Sequence, residues 1–335
     1  MKPSVSIIIP CFNEEKFLPG LISDIAGQDY PSEKMEVIFV DGMSRDKTVE
    51  IILQSSSIYP HFRLLNNPAR FVPFALNKGI REAGGEIIIR MDAHARYPHD
   101  YISLLVKSLE ELKADNVGGC WVTTPAGPGL VPLAIASVMS SVFGMGNAMY
   151  RLPARDVMQV DTVPFGCYRK EIFERIGYFD EALIRNQDDE FNARLIQNGG
   201  RIFLVPAIRI TYFARDTIAK TLKMFYQYGL FKPLVNKKLK RPATLRQFIP
   251  PALVLSLAAG LVLSLINSIF LVITGLILAL HLLCGIFFSA GAIMKHRKPG
   301  LLLLMPLLFL LIHLSYGTAY ISGSIKEPRH AEPSR

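Results

Sequence analysis

Four short apolar runs, separated by helix-periodic polar stretches, occupy the first ninety residues. Residues 5–10 (Val-Ser-Ile-Ile-Ile-Pro) form a β-branched run, the pattern of a strand buried on both faces of a parallel sheet. Runs at 36–40, 62–65 and 86–90 predict three further strands. Between them, residues 13–26, 44–55 and 74–82 read as helices, the second with Ser44 or Asp46 near its start and the third closed by Gly84-Gly85. This β-α-β-α alternation predicts an α/β fold: a Rossmann-like, mostly parallel sheet with flanking helices. In such a sheet ligands bind beyond the carboxyl ends of the strands, where Asp41 and Asp92 fall.

Downstream the pattern is less regular. Residues 101–114 predict a helix, 118–122 a strand and 123–131 a Gly/Pro-rich loop; 134–150 is small and apolar, with Met139, Met145 and Met149. Residues 161–168 read as extended, 170–176 and 188–198 as helices, and 201–206 as a strand. Three apolar spans follow at about 249–266, 269–291 and 300–322. Each approaches the ~20 residues that cross ~30 Å of hydrocarbon.

Composition sharpens the division between these two parts. The chain of 335 residues is 50% hydrophobic, but the excess is confined to its end. From Phe248 to Ser322 the only Asp, Glu, Lys or Arg residues are Lys295, Arg297 and Lys298. The net charge of +9 is equally local, since residues 215–246 hold nine Lys or Arg against one Asp. A basic cluster abutting apolar spans is the pattern of an anchor to anionic headgroups rather than of a nucleic-acid site. Phe225, Tyr226, Tyr228 and Phe231 interleave there with Lys220, Lys223 and Lys232, predicting an interfacial amphipathic helix under the catalytic part. A tight hairpin of the first two spans through Asn267-Ser268 puts the basic segment and Lys295-His296-Arg297-Lys298 on one side, which the positive-inside rule makes cytoplasmic. Cys11, Cys120, Cys167 and Cys284 show no paired spacing, as expected of a reduced, cytosol-facing catalytic part. The first apolar run is too short for a secretory signal. The predicted organisation is a catalytic domain (1–214), a basic amphipathic segment (215–247), two to three transmembrane helices (248–323) and a polar tail (324–335), multi-pass in the inner (cell) membrane.

Three carboxylate clusters carry the candidate chemistry: Asp41, Asp92 and the run Asn186-Gln187-Asp188-Asp189-Glu190. Carboxylates at strand ends can hold a metal, a ribose or a reacting proton. Asp41, before Gly42, also suits a β-turn. Asp188 or Asp189 also suits a helix N-cap.

The series Ser-Ile-Ile-Ile-Pro-Cys-Phe-Asn-Glu-Glu (6–15), Val-Asp-Gly-Met-Ser-Arg-Asp-Lys-Thr (40–48), Asn77-Lys78-Gly79 with Ala83-Gly84-Gly85, and Met-Asp-Ala-His (91–94) resembles the family 2 inverting glycosyltransferases. Gly166-Cys167-Tyr168-Arg169, Gly177-Tyr178-Phe179-Asp180-Glu181 and Gln187-Asp188-Asp189-Glu190 continue the resemblance, which covers about residues 4–215. Asp-Ala-His and Asn-Gln-Asp-Asp-Glu are similar, within that family, to ExoA-like exopolysaccharide transferases with a comparable membrane tail.

The resemblance implies a GT-A fold and roles for several of these residues. Asp41 would contact the nucleotide base and ribose, with Pro10, Phe12 and Glu14 as the wall of the nucleotide pocket. Asp92 and His94 occupy the family's Asp-x-Asp position, which holds Mg²⁺ or Mn²⁺ against the donor diphosphate. His94 stands where the second Asp is usual; imidazole suits Mn²⁺ better than Mg²⁺. Its bland alternative is a partly exposed loop histidine. Asp188 would be the catalytic base, with Asp189 its rival, and Gln187 replaces the usual Glu. Gln227-Tyr228-Gly229 lacks the Gln-x-x-Arg-Trp of processive members, and the only Trp is Trp121. The expected function is a membrane-anchored inverting transferase moving a sugar from a nucleotide-sugar donor, UDP-linked, to a lipid-linked saccharide in extracellular or surface polysaccharide synthesis. The alternatives are a catalytically weak subunit bound to polysaccharide-assembly proteins, which the His94 and Gln187 departures would favour, or a processive synthase.

Overall fold

The computed structural model describes residues 3–146, 148–242 and 244–328. In chain order it holds β1 (Val5–Cys11), α1 (Leu18–Ala26), β2 (Met35–Asp41), α2 (Thr48–Ile58), β3 (Phe62–Asn66), α3 (Val72–Glu82), β4 (Ile87–Arg90), β5 (Ala95–Arg96), α4 (Tyr101–Glu111) and β6 (Asn116–Thr124). There follow α5 (Leu130–Val138), α6 (Val142–Met145), β7 (Met158–Gln159), β8 (Cys167–Arg169), α7 (Glu171–Ile176), α8 (Gln187–Gln197), β9 (Ile202–Phe213), α9 (Ile218–Leu239), α10 (Ile249–Leu263), α11 (Ile269–His296) and α12 (Leu301–Ile325). The chain divides into two compact units, residues 3–122 with 153–212 and residues 123–152 with 213–328.

The first unit is built on one sheet in the order β3-β2-β1-β4-β8-β6-β9-β5, with β7 on β9. β3, β2, β1 and β4 run parallel, and β8 joins β4 antiparallel. The expected parallel half is therefore present, and it continues into antiparallel strands. Every residue of β1 except Pro10 is buried, as its unbroken apolar run requires. Helix α3 lies close on β1: a Cβ at Gly79 would collide with the Ile8 side chain. Asn77 of the same helix donates to Phe179 O and to Glu181 Oε1, both at 2.9 Å, and accepts from Phe179 N–H at 3.0 Å. Two motifs quoted above thus clamp the scaffold rather than carry chemistry. The register aligns Cys11 with Asp41 and Asp41 with Asn66, which brings three strand ends to one rim.

The second unit is helical. Among the described residues three helices are long and apolar enough to cross a membrane: Leu245–Leu263, Ile269–His296 and Leu301–Ile325. The third is central, with 44% of its apolar window buried against 11% and 17% for the others. Gly260 meets Thr274 and Gly285 meets Pro306, so consecutive spans fold back as hairpins. Helix α9 does not lie free as an interfacial helix but packs along α12. Ser315 Oγ donates to Leu222 O at 2.9 Å and Asn236 Nδ2 to Tyr320 Oη at 3.0 Å. A Cβ at Gly229 would strike the Tyr316 carbonyl, and one at Gly323 the Leu230 carbonyl. Residues 123–152, assigned above to the catalytic domain, belong here instead. Their Phe143 stacks on Phe288 at 5.3 Å and meets the rings of His281, Phe309 and His313 at 5.0–5.2 Å.

Candidate active site

The strand-end loops of β1 and β2 lock each other. Asn13 takes a left-handed backbone (φ 56°), its N–H donating to Ser44 Oγ at 2.8 Å while its Oδ1 accepts from Arg45 N–H at 2.9 Å. Glu14 N–H donates to Thr48 Oγ1 at 2.7 Å, and Glu15 N–H to Asp46 Oδ2 at 3.1 Å. Helices α1 and α2 therefore start later than expected, at Leu18 and Thr48. Ser44 and Asp46 serve the loop latch instead of opening α2.

Asp41 sits behind this latch, 2% exposed. Its Oδ2 accepts from Ser44 N–H at 3.0 Å, while Oδ1 is buried with no hydrogen-bond partner among the described residues. An orphaned buried acceptor costs about 1–3 kcal/mol, so Oδ1 marks a place where a ligand donor fits. A cavity of about 100 Å³ is lined by Pro10, Cys11, Phe12, Glu14, Asn67, Arg70, Phe71, Asp92 and His94 among others; Asp41 does not line it, but Cys11, its partner in the β1–β2 register, does. Of the six residues expected from the motifs at the nucleotide and metal site, five line this cavity, all but Asp41, and Arg70 is added to them. That residue is held in a left-handed turn (φ 66°) whose N–H donates to Asn67 O at 3.0 Å.

Asp92 follows β4, its backbone N–H donating to Tyr97 Oη at 2.7 Å. Burial pushes the Tyr97 phenol far up, so it stays a neutral hydrogen-bonding post. His94 Nδ1 stands 3.4 Å from Glu14 Oε1, with Phe17 and Tyr212 rings beside it at 6.3 and 6.4 Å. Tyr212 belongs to β9, which pairs with β5. Among the described residues no three His, Cys, Asp or Glu side chains gather as a metal cage. One carboxylate and one imidazole on an open wall nevertheless fit a divalent ion that keeps water and phosphate oxygens as its remaining ligands.

Asp188 is the second residue of α8; the N-cap is Asn186, left-handed at φ 60°, so neither Asp188 nor Asp189 caps the helix. The Asp188 carboxylate is taken by Arg90, whose Nη1 lies 2.5 and 2.6 Å from its two oxygens. The same guanidinium reaches Asp92, Nε to Oδ1 at 3.0 Å and Nη2 to Oδ2 at 3.3 Å. Burial pushes the Asp188 carboxyl above its ordinary value and prevails over Arg90, which pulls it down. Glu190 is scaffold: it pairs with Arg194 at 2.7 Å, and Arg194 also donates to the Tyr178 carbonyl at 2.7 Å. Sequence reasoning missed Arg90. The available signal was a cation ending a wholly apolar strand two residues before Asp92, on the same strand face.

The chain matches the family model "Glycosyl transferase family 2" over residues 6–177. It is 28% identical over 334 residues to dolichyl N-acetyl-alpha-D-glucosaminyl phosphate 3-beta-D-2,3-diacetamido-2,3-dideoxy-beta-D-glucuronosyltransferase of Methanococcus voltae, covering 96% of this chain and 97% of that protein. It is 31% identical over 290 residues to the succinoglycan biosynthesis protein ExoA of Rhizobium meliloti, covering 85% and 86%. Among solved structures it resembles mannosyltransferase PcManGT of Pyrobaculum calidifontis, in complex with GDP-Man and Mn²⁺: TM-score 0.59 at 20% identity, covering 98% of this chain and 89% of that one. That likeness shows the fold, a Rossmann-like GT-A sheet with its helices.

Proposed function

The chain belongs to glycosyl transferase family 2, and we propose that it moves a sugar, with inversion, from a UDP-linked donor to a lipid-linked saccharide at the cytoplasmic face of the cell membrane. The observation that carries this reading is the single unbonded oxygen of Asp41 at the rim that also holds Asp92. With Oδ2 committed to Ser44, one acceptor remains. That suits the lone imide N–H of uracil better than the paired N–H donors of guanine, which call for both carboxylate oxygens. The lipid-linked acceptor is supported by the three apolar spans and by the polysaccharide and dolichyl-linked roles in the two relatives' names.

In the proposed reaction the donor base lies on Asp41, between the walls supplied by Pro10, Phe12 and Glu14. Asp92, with His94 beside it, would hold Mg²⁺ or Mn²⁺, which supplies Lewis-acid neutralisation of charge on the leaving diphosphate. The acceptor hydroxyl oxygen attacks the anomeric carbon as the bond to the diphosphate oxygen breaks. Its proton passes to the Asp188 carboxylate, which must be ionised to take it. The charge segregation supports orientation: Lys295, Arg297 and Lys298 end α11, and the basic α9 precedes α10, both on the side the positive-inside rule makes cytoplasmic.

Calorimetry on the full chain in detergent tests the donor site. UDP should bind more tightly with Mn²⁺ than without, and Asp92→Ala should abolish that difference. Equal UDP affinity with and without Mn²⁺ in the unaltered chain would sink the assignment. Sugar transfer to a membrane lipid extract tests turnover; none from any nucleotide sugar would leave the chain as an assembly subunit.

A further inference from the structure

Arg90 joins the two halves of the site. Its side chain is 9% exposed, its backbone N–H donates to Gly166 O at 3.1 Å, and the Phe165 ring lies 5.7 Å from the guanidinium carbon. It is therefore held, yet its charged end is shared between two carboxylates. Both oxygens of Asp188 receive N–H donors from it, and so do both oxygens of Asp92. A carboxylate with both oxygens committed to a guanidinium is a poor proton acceptor. Turnover through Asp188 needs that clamp loosened.

The loaded site offers a reason for it to loosen. This step rests on the donor site proposed above. An Asp92 that held a divalent ion would give up its claim on Arg90, and the donor diphosphate bound beside it would offer the guanidinium an alternative anion. Guanidinium pairs with phosphate in the same bidentate way as with carboxylate, and phosphate carries the larger charge. We infer that Arg90 is a donor-responsive exchange residue: it clamps Asp188 in the empty enzyme and passes to the donor diphosphate on loading, leaving Asp188 to receive the acceptor proton. The base is then competent only after the donor is bound, which orders donor before acceptor and guards against unproductive acceptor binding.

The exchange makes an unusual demand on binding: removing the base should strengthen the hold on the donor nucleotide. In calorimetry of the full chain in detergent with UDP and Mn²⁺, Asp188→Asn should tighten binding by a factor within the roughly 2- to 150-fold span of couplings between residues in contact. Arg90→Gln should weaken it. Loss of a nearby negative charge would by itself favour an anion, so the discriminating measurement is the double variant. Asp188→Asn should give a clearly smaller gain when Arg90 is already Gln, or Met if the Gln variant fails to fold. Unchanged or weaker binding by Asp188→Asn, or an equal gain in both backgrounds, overturns the exchange while leaving the donor site standing. Absence of Mn²⁺-dependent UDP binding in the unaltered chain overturns both.

Discussion

Asp188 and Asp189 are neighbours in sequence, but helix geometry turns them about 100° apart, so only one can readily face a given atom. Asp188 is the one aimed at Arg90 and, through it, at Asp92. Asp188→Asn should lower turnover by ~10²–10⁴, the usual loss on removing a general base, without weakening UDP binding. Asp189→Asn should be milder. If Asp189→Asn is inactive while Asp188→Asn keeps more than about a third of turnover, the base lies one residue later. Acidity gives a second check. Because burial raises its folded-state pKa, Asp188 is lost as a base when pH falls through a value above the ordinary Asp range of about 3.9. For stability the sign is opposite. The raised pKa contributes stability that is fully present below the unfolded value and lost as pH rises through the folded one. Acidification across that window should therefore reduce kcat while easing the Asp188 contribution to Tm, and Asp188→Asn should remove the latter effect. Of the candidate site residues, Asp41 and Asp92 were read from their place after apolar strands, and Asp188 only through its family motif, because an Asp at a helix start is common. Arg90 was not legible, because its meaning depends on a partner 98 positions away.

Element boundaries failed where long-range partners decide them. Residues 13–17 carry helix-compatible sequence, yet their backbone donors are claimed by the loop after β2, some thirty residues on. Pro206 read as the end of a strand, but β9 runs through it to Phe213. β7 pairs with Phe203 and Leu204, and β5 with Thr211 and Tyr212, so on that side Pro206 falls in a gap where no ladder donor is required. Motif function was equally hidden. Asn77, quoted within a family motif but given no role there, ties α3 to the segment before α8 through three hydrogen bonds. Asn77→Ala would leave the Phe179 N–H and the Glu181 carboxylate without this partner. A loss of about 1–3 kcal/mol is expected, with UDP affinity unchanged. A thermal melt of the variant equal to that of the unaltered chain would show that Asn77 is not a clamp.

At the scale of the whole molecule, composition divides the chain at about residue 214, whereas its packing makes residues 123–152 part of the helical unit. The segment is too short and too interrupted by Gly and Pro to register as membrane sequence. Its apolar residues are nonetheless spent on the spans: Phe143 is enclosed by rings from α11 and α12, and Gly144 sits so close to Phe309 that a Cβ there would touch its ring. A fragment comprising residues 1–214 would therefore keep the strands and carboxylates but lose everything against which α5 and α6 pack. An apolar surface of that kind drives association or membrane binding. The fragment should sediment with membranes or need detergent, even though α9 to α12 are gone. In detergent it should still bind UDP with Mn²⁺, because Asp41, Asp92 and the latch between the first two loops lie in the other unit. Exchanging Leu130, Val131 and Val142, exposed already in the intact chain, for Ser should not release the fragment into solution, whereas exchanging Ile135, Val138 and Phe143 should. A fragment 1–214 that is monomeric and soluble without detergent would show that residues 123–152 do not depend on the spans, and would return the domain boundary to the place composition suggests.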